Sequence, residues 1–233
     1  MYKLLVYIFF INLLLKYVII HYFDSNNLAM IASRTILTLI IIYFWFYRKN
    51  NHFDTKYILS SKWLLISLIC VVAVYVMEII NEPNYLQLSF FTLLLKCFSV
   101  AILEELLFRY IIYRYYVNQN IIKKVSILNT SIIFALFHFA NLINGSDFYS
   151  VIIQIQLAFL IGFLLQLIFI KSKSLVLIIS IHAIINFVGS INQVNSSISH
   201  TTLTIDDFMY NQIFIMIIYI FFIPIYILRF KSL

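Results

Sequence analysis

Glycine, proline and cysteine are scarce in this chain, with three, two and two among 233 residues. So little glycine and proline excludes collagen, which needs glycine at every third position. It also leaves little material for the Gly/Pro-broken helices around which transporters build their sites. The two cysteines, Cys70 and Cys97, fall inside apolar runs, which excludes a disulfide-knit secreted module and makes both small core or lipid-facing residues. Charge is scarce too: 11% of the residues are Asp, Glu, Lys or Arg, where a soluble domain carries about 25%. That is too little polar surface to cover a water-soluble globule of this length. What the chain has in abundance is apolar: 64% of residues are hydrophobic and the mean hydropathy is +1.00. Intrinsic disorder is excluded on the same figures.

A helix needs about 20 apolar residues to cross the hydrocarbon core of a bilayer. Runs of that kind lie at 4–22, 28–47, 63–80, 89–116, 125–143, 151–170, 175–192 and 208–228. They predict an all-α fold, a polytopic membrane helical bundle of about eight transmembrane helices. The runs are continuous rather than alternating, which excludes a membrane β-barrel. The first is too long for a signal peptide and has no small-residue cleavage site near its end, so it reads as a retained helix. No internal repeat or soluble domain is visible, and residues 1–233 read as one integral-membrane domain. The sequon-like Asn195-Ser196-Ser197 carries almost no information in so Asn-rich a chain.

The net charge of +7 invites a nucleic-acid reading, and the positions of the charges answer it. With the N-terminus inside, the inner segments hold Lys3, Arg48, Lys49, Lys56, Lys62, Arg114, Lys123, Lys124, Lys171, Lys173, Arg229 and Lys231. The outer loops hold no Lys or Arg, but they hold Asp24, Glu82, Asp147, Asp206 and Asp207. This satisfies the positive-inside rule at every loop and places both termini in the cytoplasm. The basic residues are spread over helix ends, so no clustered surface remains to track phosphates, and no nucleic-acid partner is expected. The expected surroundings are the lipid bilayer of the cell membrane.

Few ionisable residues remain inside the runs, and each needs a reason, because an ionised side chain at mid-bilayer costs about 2.5–3.5 kcal/mol. Lys16, Arg34 and Glu78 lie near the outer ends of their runs and are expected to snorkel to the interface. Lys96 lies a third of the way into its run, where a carbonyl or a water pocket could hold it. Glu104, Glu105 and Arg109 lie deeper. Glu105 and Arg109 are spaced i,i+4 with the acid first, the better orientation for an ion pair. Glu104 points about 100° away and is left as the unpaired carboxylate, a candidate general base. The bland alternative is a structural ion pair beside a protonated glutamate. Two further runs supply His138, in Phe134-Ala135-Leu136-Phe137-His138, and His182 with Asn186, again spaced i,i+4 on one face. A base and side-chain donors arriving from three helices at similar depth is the equipment that hydrolysis needs.

Glu104-Glu105-x-x-x-Arg109, Phe134-x-x-x-His138 and His182-x-x-x-Asn186 resemble, in this order and without substitution, the three motifs of the CPBP intramembrane proteases. This is the CAAX protease and bacteriocin-processing family, also called Abi. The resemblance covers about 104–186, and the catalytic core is expected at about 89–192. It implies an endopeptidase buried in the membrane and open to the cytoplasm, in which Glu104 activates a water that His138 helps to position. His182 and Asn186 would form the oxyanion hole, with Glu105 and Arg109 supporting the site. No cofactor is expected. Zn²⁺ held by two His and a Glu is the lesser alternative, since the H-E-x-x-H helix of zinc proteases is missing. The Ile/Lys/Asn-rich composition reads as bacterial, where prenylated CAAX termini are absent. The expected partner is therefore a peptide or membrane-protein substrate. The competing reading is a non-catalytic bacteriocin self-immunity or membrane interaction protein on the same fold.

Overall fold

The computed structural model describes residues 26–43, 88–143, 145–195 and 204–230, together with Tyr7, Phe10, Ile11 and Leu14. The expected span at 63–80, most of that at 4–22, and Lys16, Cys70 and Glu78 lie outside these residues. The described residues form helices and turns, with no strand among them. In chain order the helices are α1 (Asn26–Ile42), α2 (Leu88–Glu105), a π-helical segment (Leu106–Ile112), α3 (Tyr113–Asn118) and α4 (Lys123–Phe137). The short α5 (Ala140–Ile143), then α6 (Phe148–Ser172), α7 (Leu175–Asn195) and α8 (Ile205–Phe230) complete them. Lys123–Ile143 and Phe148–Ser172 are long and apolar enough to cross a membrane, and Met30–Ile42 and Leu175–Ser190 are shorter apolar stretches.

Burial in these helices is inverted relative to a soluble protein. Large apolar side chains lie outside, among them Phe91, Leu136, Phe214 and Met216, each about half exposed or more. Charged and amide side chains lie inside, among them Glu105, Arg109 and Gln166, each with at most 1% exposure. Lipid tolerates the first arrangement, and buried partners must satisfy the second.

Two places depart from the uninterrupted helices read from the runs. Residues 89–116 are helical throughout, but Leu106–Ile112 is wound as a π-helix. In an α-helix a residue four positions on lies about 40° past its partner. The wider winding begins directly after Glu105 and contains Arg109. The run at 125–143 is broken at His138. There Nδ1 lies 3.1 Å from the Phe134 carbonyl, the acceptor that the backbone N–H would have used. The backbone N–H groups of His138 and Phe139 instead reach back three residues, to Ala135 and Leu136, at 3.0 and 3.1 Å. This tightened turn closes α4 and starts α5.

With three glycines in the chain, sharp turns fall to other residues. Asn120 and Lys173 adopt positive φ, 56° and 52°, alongside Gly145 at 84°. Asn tolerates this region because its short polar side chain bonds locally. Lys173 closes α6 through its N–H to the Phe169 carbonyl at 2.8 Å. Fully buried Ser174 then caps α7, its hydroxyl accepting from the Leu177 N–H at 3.3 Å.

The chain divides into two compact units. The first, Met1–Ile111 with Ile168–Ser196, is built in its described part on α2, against which α1 and α7 pack. The second, Ile112–Leu167 with Ser197–Leu233, contains α3 packed on α4 and a polar seam between α6 and α8. In that seam the side-chain amides of Gln156 and Gln212 bond reciprocally, at 3.0 Å each way, and the Tyr219 hydroxyl donates to the Gln156 carbonyl at 3.2 Å. Helix α8 opens on a capping box. Thr204 donates through its N–H and hydroxyl to the Asp207 carboxylate at 3.2 and 2.7 Å and accepts from the Asp207 N–H at 3.2 Å. These bonds hold the Asp207 carboxyl below its ordinary range.

Candidate active site

The site lies in the first unit, where the end of α2 meets α7. Glu105 is its centre. One carboxylate oxygen lies 3.1 Å from Arg109 Nε, the i,i+4 pair expected from the spacing, and the other lies 2.7 Å from His182 Nδ1. All three side chains are at most 5% exposed. A carboxylate oxygen can only accept here, so His182 Nδ1 carries the proton and donates it. That bond fixes both the tautomer and the orientation of the ring. It aims Nε2 at the neighbouring carboxylate, whose Glu104 Oε2 lies 3.6 Å away. The separation exceeds a good hydrogen bond, so the two groups face each other without being locked together. Glu104 is 19% exposed at its side chain, where Glu105 is fully enclosed.

One imidazole therefore stands between two adjacent carboxylates of different character. Glu105 is consumed by orienting His182 and balancing Arg109. Glu104 keeps partial access, as a group that must exchange protons with a reactant requires. The expectation that Glu104 stands unpaired is corrected in one respect: its carboxylate faces His182 Nε2. On α1, Arg34 shares a helical stripe with Leu37, Thr38 and Ile41, and the last three are buried.

A second contact fixes how α2 and α7 are aligned. The buried Cys97 thiol lies beside Ser190 of α7, eight residues from the Glu105–His182 contact along each helix. The antiparallel pair thus keeps its register over about 12 Å. Ala101 of α2 is fully buried, and Asn186, one turn beyond His182, is half-buried. The Asn186 carbonyl accepts from the Ser190 hydroxyl at 2.8 Å.

His138 belongs to the second unit and is described within it. Its Nδ1–H donates to the Phe134 carbonyl, and the two rings meet edge to face at 5.1 Å. In the neutral ring this leaves Nε2 as an acceptor. Lys96, the remaining intramembrane cation among the described residues, is half-buried, and its carbonyl accepts from the Ser99 hydroxyl at 2.8 Å. Among the described residues no three His, Cys, Asp or Glu side chains are grouped to hold a metal ion.

Residues 86–188 match the model of a family described as Type II CAAX prenyl endopeptidase Rce1-like. No curated protein and no solved structure matches the chain. The matched segment contains Glu104, Glu105, Arg109, His138, His182 and Asn186, and it excludes α1 and α8. The carboxylate pair, its arginine and both histidines thus fall inside one matched segment, and that segment is similar to the Rce1-like CAAX endopeptidases, the group read from its three motifs.

Proposed function

We propose that the protein is an intramembrane endopeptidase that hydrolyses a peptide or membrane-associated protein with a water activated by Glu104. The observation that carries this reading is the division of labour between adjacent carboxylates around one imidazole. Glu105 is enclosed and tied to Arg109 and His182, while Glu104 is partly accessible and faces Nε2.

In the reaction, Glu104 takes a proton from water as the water oxygen attacks the scissile carbonyl carbon. The carbonyl electrons move to oxygen, giving a tetrahedral oxyanion. His182, donating through Nε2–H while Glu105 accepts from Nδ1–H, and the Asn186 side chain supply donors to that oxyanion. Removing one such donor typically costs 10²–10³-fold in rate. As the C–N bond breaks, the carbonyl re-forms and Glu104 passes its proton to the departing nitrogen. The family resemblance, rather than any distance, assigns His138 to positioning the water. No metal takes part in any of these steps. The protein acts from the cell membrane as a multi-pass chain with cytoplasmic termini.

Comparative peptidomics of cells carrying the full chain or its Glu104→Gln variant tests this reading and requires no identified substrate. Peptides produced by the wild type should fall by about 10²–10⁴-fold in the variant, the range for losing a general base. Identical peptide profiles at equal membrane expression would refute the assignment.

A further inference from the structure

Two glutamines of α6 meet opposite fates. Gln156 is closed by Gln212, each amide serving the other at 3.0 Å. Gln166, ten residues further along, is fully enclosed, yet neither its Nε2 nor its Oε1 has a hydrogen-bond partner among the described residues. It lies six residues, about 9 Å, before the end of α6 at Ser172, in a helix long and apolar enough to cross a membrane. An amide enclosed in this way is costly unless something bonds to it. Helical side chains lean toward the N-terminus, over the residue four positions back. For Gln166 that residue is Gly162, buried and without a side chain, and one turn further back lies buried Ala158. The amide thus leans over the least bulky stretch of the helix, while Phe163, Leu165 and Phe169 around it are large and buried.

We propose that the Gln166 amide, leaning into the small-residue stripe of Ala158 and Gly162, binds an internal water. The chemistry of the group selects this occupant. A primary amide offers an acceptor and two donors, all uncharged, so an ion would gain nothing there to offset its own desolvation. Full enclosure excludes a ligand with a remainder to accommodate. Water is small enough to be enclosed whole, and it both donates and accepts. Internal waters typically make about three hydrogen bonds to groups that the protein itself leaves unmet. Helical carbonyls, which keep a second lone pair beyond their intrahelical bond, can supply what the amide does not. Nothing about this water depends on the proteolytic reading.

Two measurements on the full chain in nanodiscs test this. X-ray radiolysis splits waters where they are bound, and the hydroxyl radicals oxidise the side chains beside them. In heavy-oxygen water, Phe163 and Phe169, three residues to either side of Gln166 and at most 4% exposed, should acquire the water's oxygen. Gln166→Leu makes the site apolar and therefore dry, so this labelling should fall at least about fivefold. The volume-conserving Leu165→Met should keep wild-type labelling, which a response to altered packing alone would not. Thermal unfolding separates a water-bonded amide from a bare one. Leucine would relieve a bare amide and raise Tm by about 2–10 °C. With the water in place, Gln166→Leu should melt no higher than the wild type. Gln166→Met replaces Gln166→Leu in both arms if the latter is not recovered. Unlabelled phenylalanines in the wild type, labelling that survives the leucine change, labelling lost equally in Leu165→Met, or a raised Tm would each overturn the proposal.

Discussion

Two polar seams hold helices together in this molecule, and they are built on opposite principles. Between α6 and α8 the amides of Gln156 and Gln212 satisfy each other reciprocally, neutral against neutral. Between α2 and α7 the contact is ionic and unequal: Glu105 serves two partners, and Glu104 beside it stands 3.6 Å from His182. A closed amide pair has nothing left to offer a reactant. The ionic seam is closed at Glu105 and open at Glu104, and the difference separates a fastening from a reactive site.

The sharpest test of that contrast sets adjacent residues against each other. Glu105→Gln should lower stability by about 3–5 kcal/mol, because Arg109 is left as a buried charge facing a neutral amide. Glu104→Gln should cost clearly less stability while removing activity, since its carboxylate is partly accessible. Denaturation of both purified variants, read beside their peptide profiles, checks the pair. Equal stability losses would erase the distinction. The amide seam should respond more weakly. Gln156→Leu is expected to lower stability by about 0.6–1.7 kcal/mol, and the double change with Gln212→Leu should recover most of that, because no polar group is then left alone. Activity should follow stability in this series and show no separate loss.

The smallest effect belongs to the exposed cap of α8. The Asp207 carboxyl is held low by the Thr204 hydroxyl and N–H, so its folded value lies below its ordinary 3.8. Its contribution is complete above that ordinary value and is lost as the pH falls through the depressed one. Amide exchange in the first turn of α8 should therefore accelerate only in that acidic window. In Asp207→Ala the acceleration should be present at neutral pH and the acid step absent.

The helical class, the Glu105–Arg109 pair and the shared face of His182 and Asn186 were legible because each follows from local spacing. What spacing could not supply was the partner across a helix interface. Glu105 meets His182 at 77 residues' separation, and no periodicity encodes that contact. The break at His138 was hidden because Phe134 to Ile143 remains apolar across it, and the side-chain bond that tightens the turn leaves no mark on hydropathy. The capping box at Thr204 and Asp207 was readable, as a Thr-x-x-Asp pattern ahead of an apolar run.

The distance along the chain between Glu105 and its two partners bears on how the protein is made. Arg109 is synthesised four residues after Glu105, whereas His182 follows 77 residues after it. At about 5–20 residues per second, that is a wait of roughly 4–15 s. During the interval Glu105 has Arg109 within reach, while its imidazole is not yet made. Arg109 is thus the earlier partner: four residues away, it can pair with Glu105 before α7 exists, and His182 joins a carboxylate already paired.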